Sequence, residues 1–189
     1  MSLDAASAER ELFEHTVVCA EEFPIRFEPG TLDATRAARI SDHAEAVLRA
    51  LALIEDSAGE DADEPPGHNA GIARLDAKIN LLLDLVATLV RGNQPPLPMS
   101  PIRWSRNGAS LCQSGNWHTG QTGRLLIQPT AWLPQRLELP VELIAFADRP
   151  NRSDATLWLR FDGIPASLKA ALERHLFRLH RRAVARRNR

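Results

Sequence analysis

The side chains best suited to chemistry in this 189-residue chain are six histidines, two cysteines and one glycine-bracketed loop. The histidines are His15, His43, His68, His118, His175 and His180. No two are spaced i, i+4, and none stands beside a cysteine pair, so a zinc site has no ligand spacing to build on. Cys19 and Cys112 are too few for a disulfide framework and fit a reducing cytoplasm. Gly115 to Thr122 reads GxxxxGQT, a phosphate-binding loop without the lysine that reaches the β- and γ-phosphates. The strand-like GRLLIQ follows it instead of a helix, which makes it a turn between strands. No serine lies in a GxSxG elbow. Enzymatic chemistry is therefore not expected.

The basic end, RHLFRLHRRAVARRNR, is the remaining candidate. From Leu168 onward there are eight Lys or Arg against one Glu. Such a stripe can neutralise phosphates, but cations near a helix C-terminus are also favoured by the macrodipole alone. Neither an aromatic platform nor a reading helix accompanies it. Nucleic acid is not expected as a partner.

The elements that must position any site read as follows. Leu12 to Phe27 is β-branched and aromatic, and Pro24 forbids a continuous helix, so one or two strands are expected. From about Leu32 the period changes. Ala37, Ile40, Ala44, Val47, Leu51 and Ile54 recur at alternating three and four, one stripe of a helix. Residues 57–71 are acidic and carry Pro65, Pro66 and Gly67, a connection. A second stripe runs through Ile72, Leu75, Ile79, Leu82, Val86 and Leu89 until Pro95 and Pro96 stop it. Branched residues at a and leucine at d suit a two-stranded coiled coil. Leu81, Leu83, Leu85 and Val90 widen the apolar face, so this helix wants more than one neighbour.

Beyond Pro101, short apolar runs alternate with turn residues. Leu137, Leu139, Val141, Leu143 and Ala145 have period two, with Pro140 marking an edge or a bulge. Leu157, Leu159 and Phe161 face one way, and Trp158 and Arg160 the other. Several such strands indicate a barrel or sandwich. A last helix begins near Pro165, with Leu168, Leu172, Leu176, Leu179 and Ala183 along one side.

The net charge of −1 conceals an asymmetry. Residues 1–66 hold 16 acids and 5 bases, or −11, and residues 67–189 hold 8 acids and 18 bases, or +10. Either these are solvated faces, or the two parts meet within or between subunits. No apolar run reaches the roughly 18 residues of a membrane span, and the acidic start has no apolar core of a secretory signal.

The segment Arg103-Trp104-Ser105-Arg106-Asn107-Gly108-Ala109, with the strands after it and the close LWLRFDGIPASLKAALERHLFRLHRR, resembles the PilZ domain. The resemblance implies a six-stranded antiparallel barrel with a C-terminal helix, which typically binds cyclic di-GMP through an RxxxR before the barrel and a [D/N]xSxxG at its second strand. Ser105 and Gly108 supply SxxG. Arg103 stands where the family has an acid or amide, and only Arg10 is available where RxxxR belongs. A guanidinium has five donors and no acceptor, so Arg103 cannot replace the missing carboxylate or amide. The degenerate motif is Arg103, Ser105, Arg106, Asn107 and Gly108, and it implies weak or absent cyclic di-GMP binding. Two heptad-patterned helices inside the barrel sequence resemble the atypical, tetrameric PilZ group of xanthomonads.

The expected protein is a non-enzymatic α+β adaptor without a bound cofactor. Residues 1–31 form the first strand region, 32–92 the inserted helix pair, and 93–189 the rest of the barrel and its closing helix. Ile40, Val47, Leu51, Ile54, Ile72, Leu75, Ile79, Leu82, Val86 and Leu89 are the expected oligomer interface, of a homotetramer by the resemblance. Its partner would be a signalling or pilus/motility protein in the cytoplasm. The rival readings are a monomer with an intramolecular helical hairpin and a cyclic di-GMP receptor with altered contacts at Arg103, Ser105, Arg106 and Asn107.

Overall fold

The computed structural model describes residues 4–60, 79, 86, 95–130 and 135–187. The order of elements is α1 (Ala5–Phe13), β1 (Cys19–Pro29), α2 (Ala34–Glu60), β2 (Met99–Trp104), β3 (Gly108–Gln113), β4 (Thr122–Ile127), β5 (Leu137–Asp148), β6 (Ala155–Phe161) and α3 (Ala166–Arg187). The six strands form a closed antiparallel barrel in the order β1-β2-β3-β6-β5-β4.

The 11-residue β1 closes the barrel because it serves two neighbours. Cys19 to Pro24 pairs with β2, and Ile25 to Pro29 pairs with β4. Where β1 has left β2, the Gln113 side chain acts as a strand substitute. Its Oε1 accepts the Phe27 N–H at 2.8 Å, and its Nε2 donates to the Phe27 carbonyl at 2.9 Å. Two backbone groups that would otherwise lack partners are thereby satisfied.

The expected alternation in β6 holds: Leu157, Leu159 and Phe161 are buried in the core. In β5 it holds only as far as Leu143. A register shift between Leu143 and Ala145 changes the phase, so Ala145 leaves the barrel interior and joins Ile144 in a second apolar cluster outside it. One extra residue in a strand has this effect because side chains alternate with period two.

That outer cluster is where α1 sits. Ala8, Leu12 and Phe13 pack on Ile144 and Ala145, with Val18 and Trp158 beside them. The helix corrects the strand expected from Leu12 onward. Asp4 caps it by accepting the Ser7 N–H at 2.6 Å, and this bond holds the Asp4 carboxyl below its usual range. The helix ends at Phe13, and His15 adopts a left-handed φ of 57°. A helix of nine residues is marginal alone, so its packing decides the conformation against the strand preference of the Thr16-Val17-Val18 run after it.

The barrel core continues into α2 and α3. Ala44, Val47, Leu48 and Leu51 of α2, with Leu168, Leu172 and Leu176 of α3, belong to the same buried cluster as the strand interiors. Trp104, fully buried, meets Phe23 edge-on at 6.0 Å and His175 of α3 at 5.8 Å. Each fully buried leucine contributes roughly 1.5–3 kcal/mol. Ala183, expected on the apolar side of α3, is exposed. No helix among the described residues is long and apolar enough to cross a membrane.

Candidate functional site

The SxxG segment is the tight connection from β2 to β3. Ser105 donates its N–H to the Gly108 carbonyl at 2.9 Å, and its Oγ accepts the Asn107 N–H at 3.0 Å, a turn closed by side chain and backbone together. The hydroxyl proton goes to the Leu12 carbonyl at the end of α1, and Ser105 is completely buried. Gly108 is required by close approach. A Cβ there would come within 2.2 Å of the Leu159 carbonyl oxygen and 2.7 Å of Leu12 Cδ2. The Asn107 carbonyl accepts the Phe161 N–H at 2.9 Å. Serine and glycine thus hold the turn to β6 and seat the N-terminal helix.

The arginines are committed as well. Arg103 forms an ion pair with Glu9 of α1 and lies 4.6 Å over the Phe13 ring. The other oxygen of Glu9 accepts the Trp158 Nε1–H at 2.9 Å. Arg160 bridges Glu142 at 2.6 Å and Glu11 at 3.0 Å, and these hydrogen bonds hold its guanidinium above its ordinary pKa. Arg106 pairs at 3.2 Å with Glu173 of α3. Arg10, the one arginine near the expected RxxxR, lies on α1 and bonds Ser7 at 3.4 Å. The motif residues are therefore tied into the fold: Arg103, Ser105 and Gly108 meet α1, Arg106 reaches α3 and Asn107 holds β6.

A groove of about 480 Å³ runs beside this seat. Among the described residues, Glu9, Glu21 and Glu22 line it against a single cation, Arg103. Its remaining walls are largely apolar, Pro101, Ile102, Leu111 and Trp158 among them. An anion entering there meets a net negative rim. Sequence reasoning placed Trp158 on the outer face of its strand but did not find Glu9 or Glu11. The signal available for them was the capped, acidic segment Asp4 to Glu14 opposite a basic barrel.

The other residues expected to do chemistry are dispersed. Gly115 to Gln121 falls between β3 and β4, as expected of a turn, Thr122 begins β4, and Trp117 packs at 5.6 Å on Phe27. Among the described residues, no three His, Cys, Asp or Glu side chains cluster as metal ligands. Cys19 is buried, donates to the Leu176 carbonyl at 3.0 Å, and has its pKa pushed up to about 11, chiefly by burial and then by Glu21.

Of the expected interface, Val47 and Leu51 are buried at 6% and 0% exposure within the chain's own core, because α2 lies across β5 and α3. Ile40 is half-buried on the same helix, and Ile54 also belongs to α2. Ile79 and Val86 lie in helical backbone and are 44% and 49% exposed. Ile72, Leu75, Leu82 and Leu89 lie outside the described residues, as does the rest of the second stripe.

A closed six-stranded barrel, an SxxG turn at its second strand and a helix packed behind that turn define a PilZ-type β-barrel module. A family model described as the atypical PilZ domain, cyclic di-GMP receptor, matches residues 48–189. The chain belongs to the atypical PilZ domain family. Its fold is similar to that of a pathogenic protein from Xanthomonas campestris, described as a new tetrameric PilZ domain self-assembled via an unusual helical bundle. The TM-score is 0.80 at 36% identity, over 96% of this chain and 97% of that one. YcgR from Escherichia coli in complex with cyclic di-GMP aligns at a TM-score of 0.40 and 17% identity, over 48% of this chain and 38% of that one. No curated protein matches the chain.

Proposed function

We propose that this protein is a non-enzymatic, self-assembling PilZ adaptor whose SxxG turn binds cyclic di-GMP weakly or not at all. The observation that carries this reading is the use of the motif inside the fold. Ser105 is spent on the Leu12 carbonyl and Arg103 on Glu9, while the adjoining groove is rimmed by three carboxylates. A phosphodiester would have to displace Glu9 and then enter a field of its own sign. Function then rests on protein–protein contact, with several barrels displayed by one assembly to a signalling or pilus/motility partner. Linked copies raise avidity without new contacts. Assembly by the helices is supported by the Xanthomonas relative and by exposed Ile79 and Val86.

Titration calorimetry with cyclic di-GMP tests the ligand part. The expected result is no saturable heat at low-micromolar ligand. The rival reading, favoured by the family's description as a receptor, takes Arg103, Ser105, Arg106 and Asn107 as altered contacts. It requires a low-micromolar dissociation constant that weakens in Arg103→Gln.

A further inference from the structure

At the end of the β2–β3 hairpin opposite the SxxG turn, the barrel carries a cavity of about 580 Å³. Six-residue strands put roughly 17–20 Å between the two ends. Three elements converge on it: Arg26 from the middle of β1, Ser100 and Ser114 from the open end of the hairpin, and Arg149, Arg152 and Asp154 from the β5–β6 connection.

The charges here are arranged unlike those at the α1 seat. Arg149 is fixed by Asp154 at 2.9 Å, and that pair is two-thirds or more buried. Among the described residues, the Arg26 and Arg152 side chains make no hydrogen bond or ion pair. Among the described residues, three guanidiniums against one carboxylate leave two net positive charges around the cavity. The second oxygen of Asp154, Oδ1, is buried without a hydrogen-bond partner. Pro98, Pro101 and 62%-exposed Met99 add an apolar wall.

We infer that this cavity is a binding site for a small organic phosphate monoester. The ester is a dianion near neutral pH, since its second pKa is about 6, and two unpaired guanidiniums match that charge with forked donors. The organic body lies on Met99 and the two prolines. The volume is within the roughly 300–1,000 Å³ of small-molecule sites. The two guanidiniums come from β1 and from the β5–β6 connection.

Calorimetry on the full chain at low ionic strength, with phenyl phosphate and inorganic phosphate as probes, tests the site. Saturable binding at one ligand per chain is expected, with phenyl phosphate the tighter. Arg26→Gln and Arg152→Gln should each weaken it by about tenfold or more. Arg39→Gln, an equal change of charge on α2, should leave it unaltered. Circular dichroism checks that the three variants keep the wild-type spectrum. The inference is overturned if neither probe gives saturable heat, if Arg26→Gln and Arg152→Gln bind like wild type, or if Arg39→Gln loses as much as they do. Equal affinity for the two probes would remove the apolar wall from the site.

Discussion

Single atoms decide the behaviour of the SxxG turn. Gly108 has β6 backbone at 2.2 Å from the place a Cβ would occupy, so Gly108→Ala must push strand against strand. A loss of about 1–3 kcal/mol is expected, read from urea unfolding midpoints. Arg103→Gln removes a half-exposed ion pair and should cost less than about 1 kcal/mol in the same assay. Cys19 gives a pH test. Its thiol pKa rises from 9.0 to about 11 on folding, so the folded state holds that proton more tightly. The contribution is fully present below pH 9.0 and is lost as pH climbs through about 11. Chemical denaturation across that window should show falling stability in wild type and a flatter profile in Cys19→Ala. Ser105 and Gly108 were legible in the sequence as a motif, but their partners were not. A hydroxyl bonded to a carbonyl 93 residues away leaves no local pattern.

At the scale of elements, α1 shows why part of the site stayed hidden. Its apolar side is only Ala8, Leu12 and Phe13, and the strand-forming residues after it dominate a reading of the region. The floor it needs, Ile144 and Ala145, depends on the β5 register shift between Leu143 and Ala145, whereas Pro140, expected to mark an edge or a bulge, pairs in regular register with Arg124 of the closed barrel. By contrast β6, the stripe of α2 and the leucines of α3 were legible, because periods of 2 and 3.6 print directly on residues buried in one core. Their burial also redirects Val47 and Leu51, expected between chains, to the interior of one chain. Leu51→Ala should therefore destabilise the fold by about 2–5 kcal/mol. Val86→Glu, at an exposed position, should leave thermal unfolding of the barrel nearly unchanged and reduce the assembled mass. Leu12→Ala should loosen α1 and increase binding of an apolar dye at Ile144 and Trp158.

At the scale of the whole molecule, the charge asymmetry acquires a location. The acidic first third and the basic remainder meet within one chain: Glu9 with Arg103, Glu11 with Arg160, Glu28 with Arg124. These contacts consume the cations nearest the motif, while Arg26 and Arg152 at the far end of the hairpin keep theirs. The two ends of one barrel thus differ in the charges that line them. The central claim is an assembly of barrels that does not answer to cyclic di-GMP at the SxxG turn. Light scattering of the purified protein, with and without the dinucleotide, tests it most directly. The account predicts a mass of about 84 kDa, four chains of 20.9 kDa, unchanged by the dinucleotide. A mass near 21 kDa, or one that shifts when cyclic di-GMP is added, would contradict it.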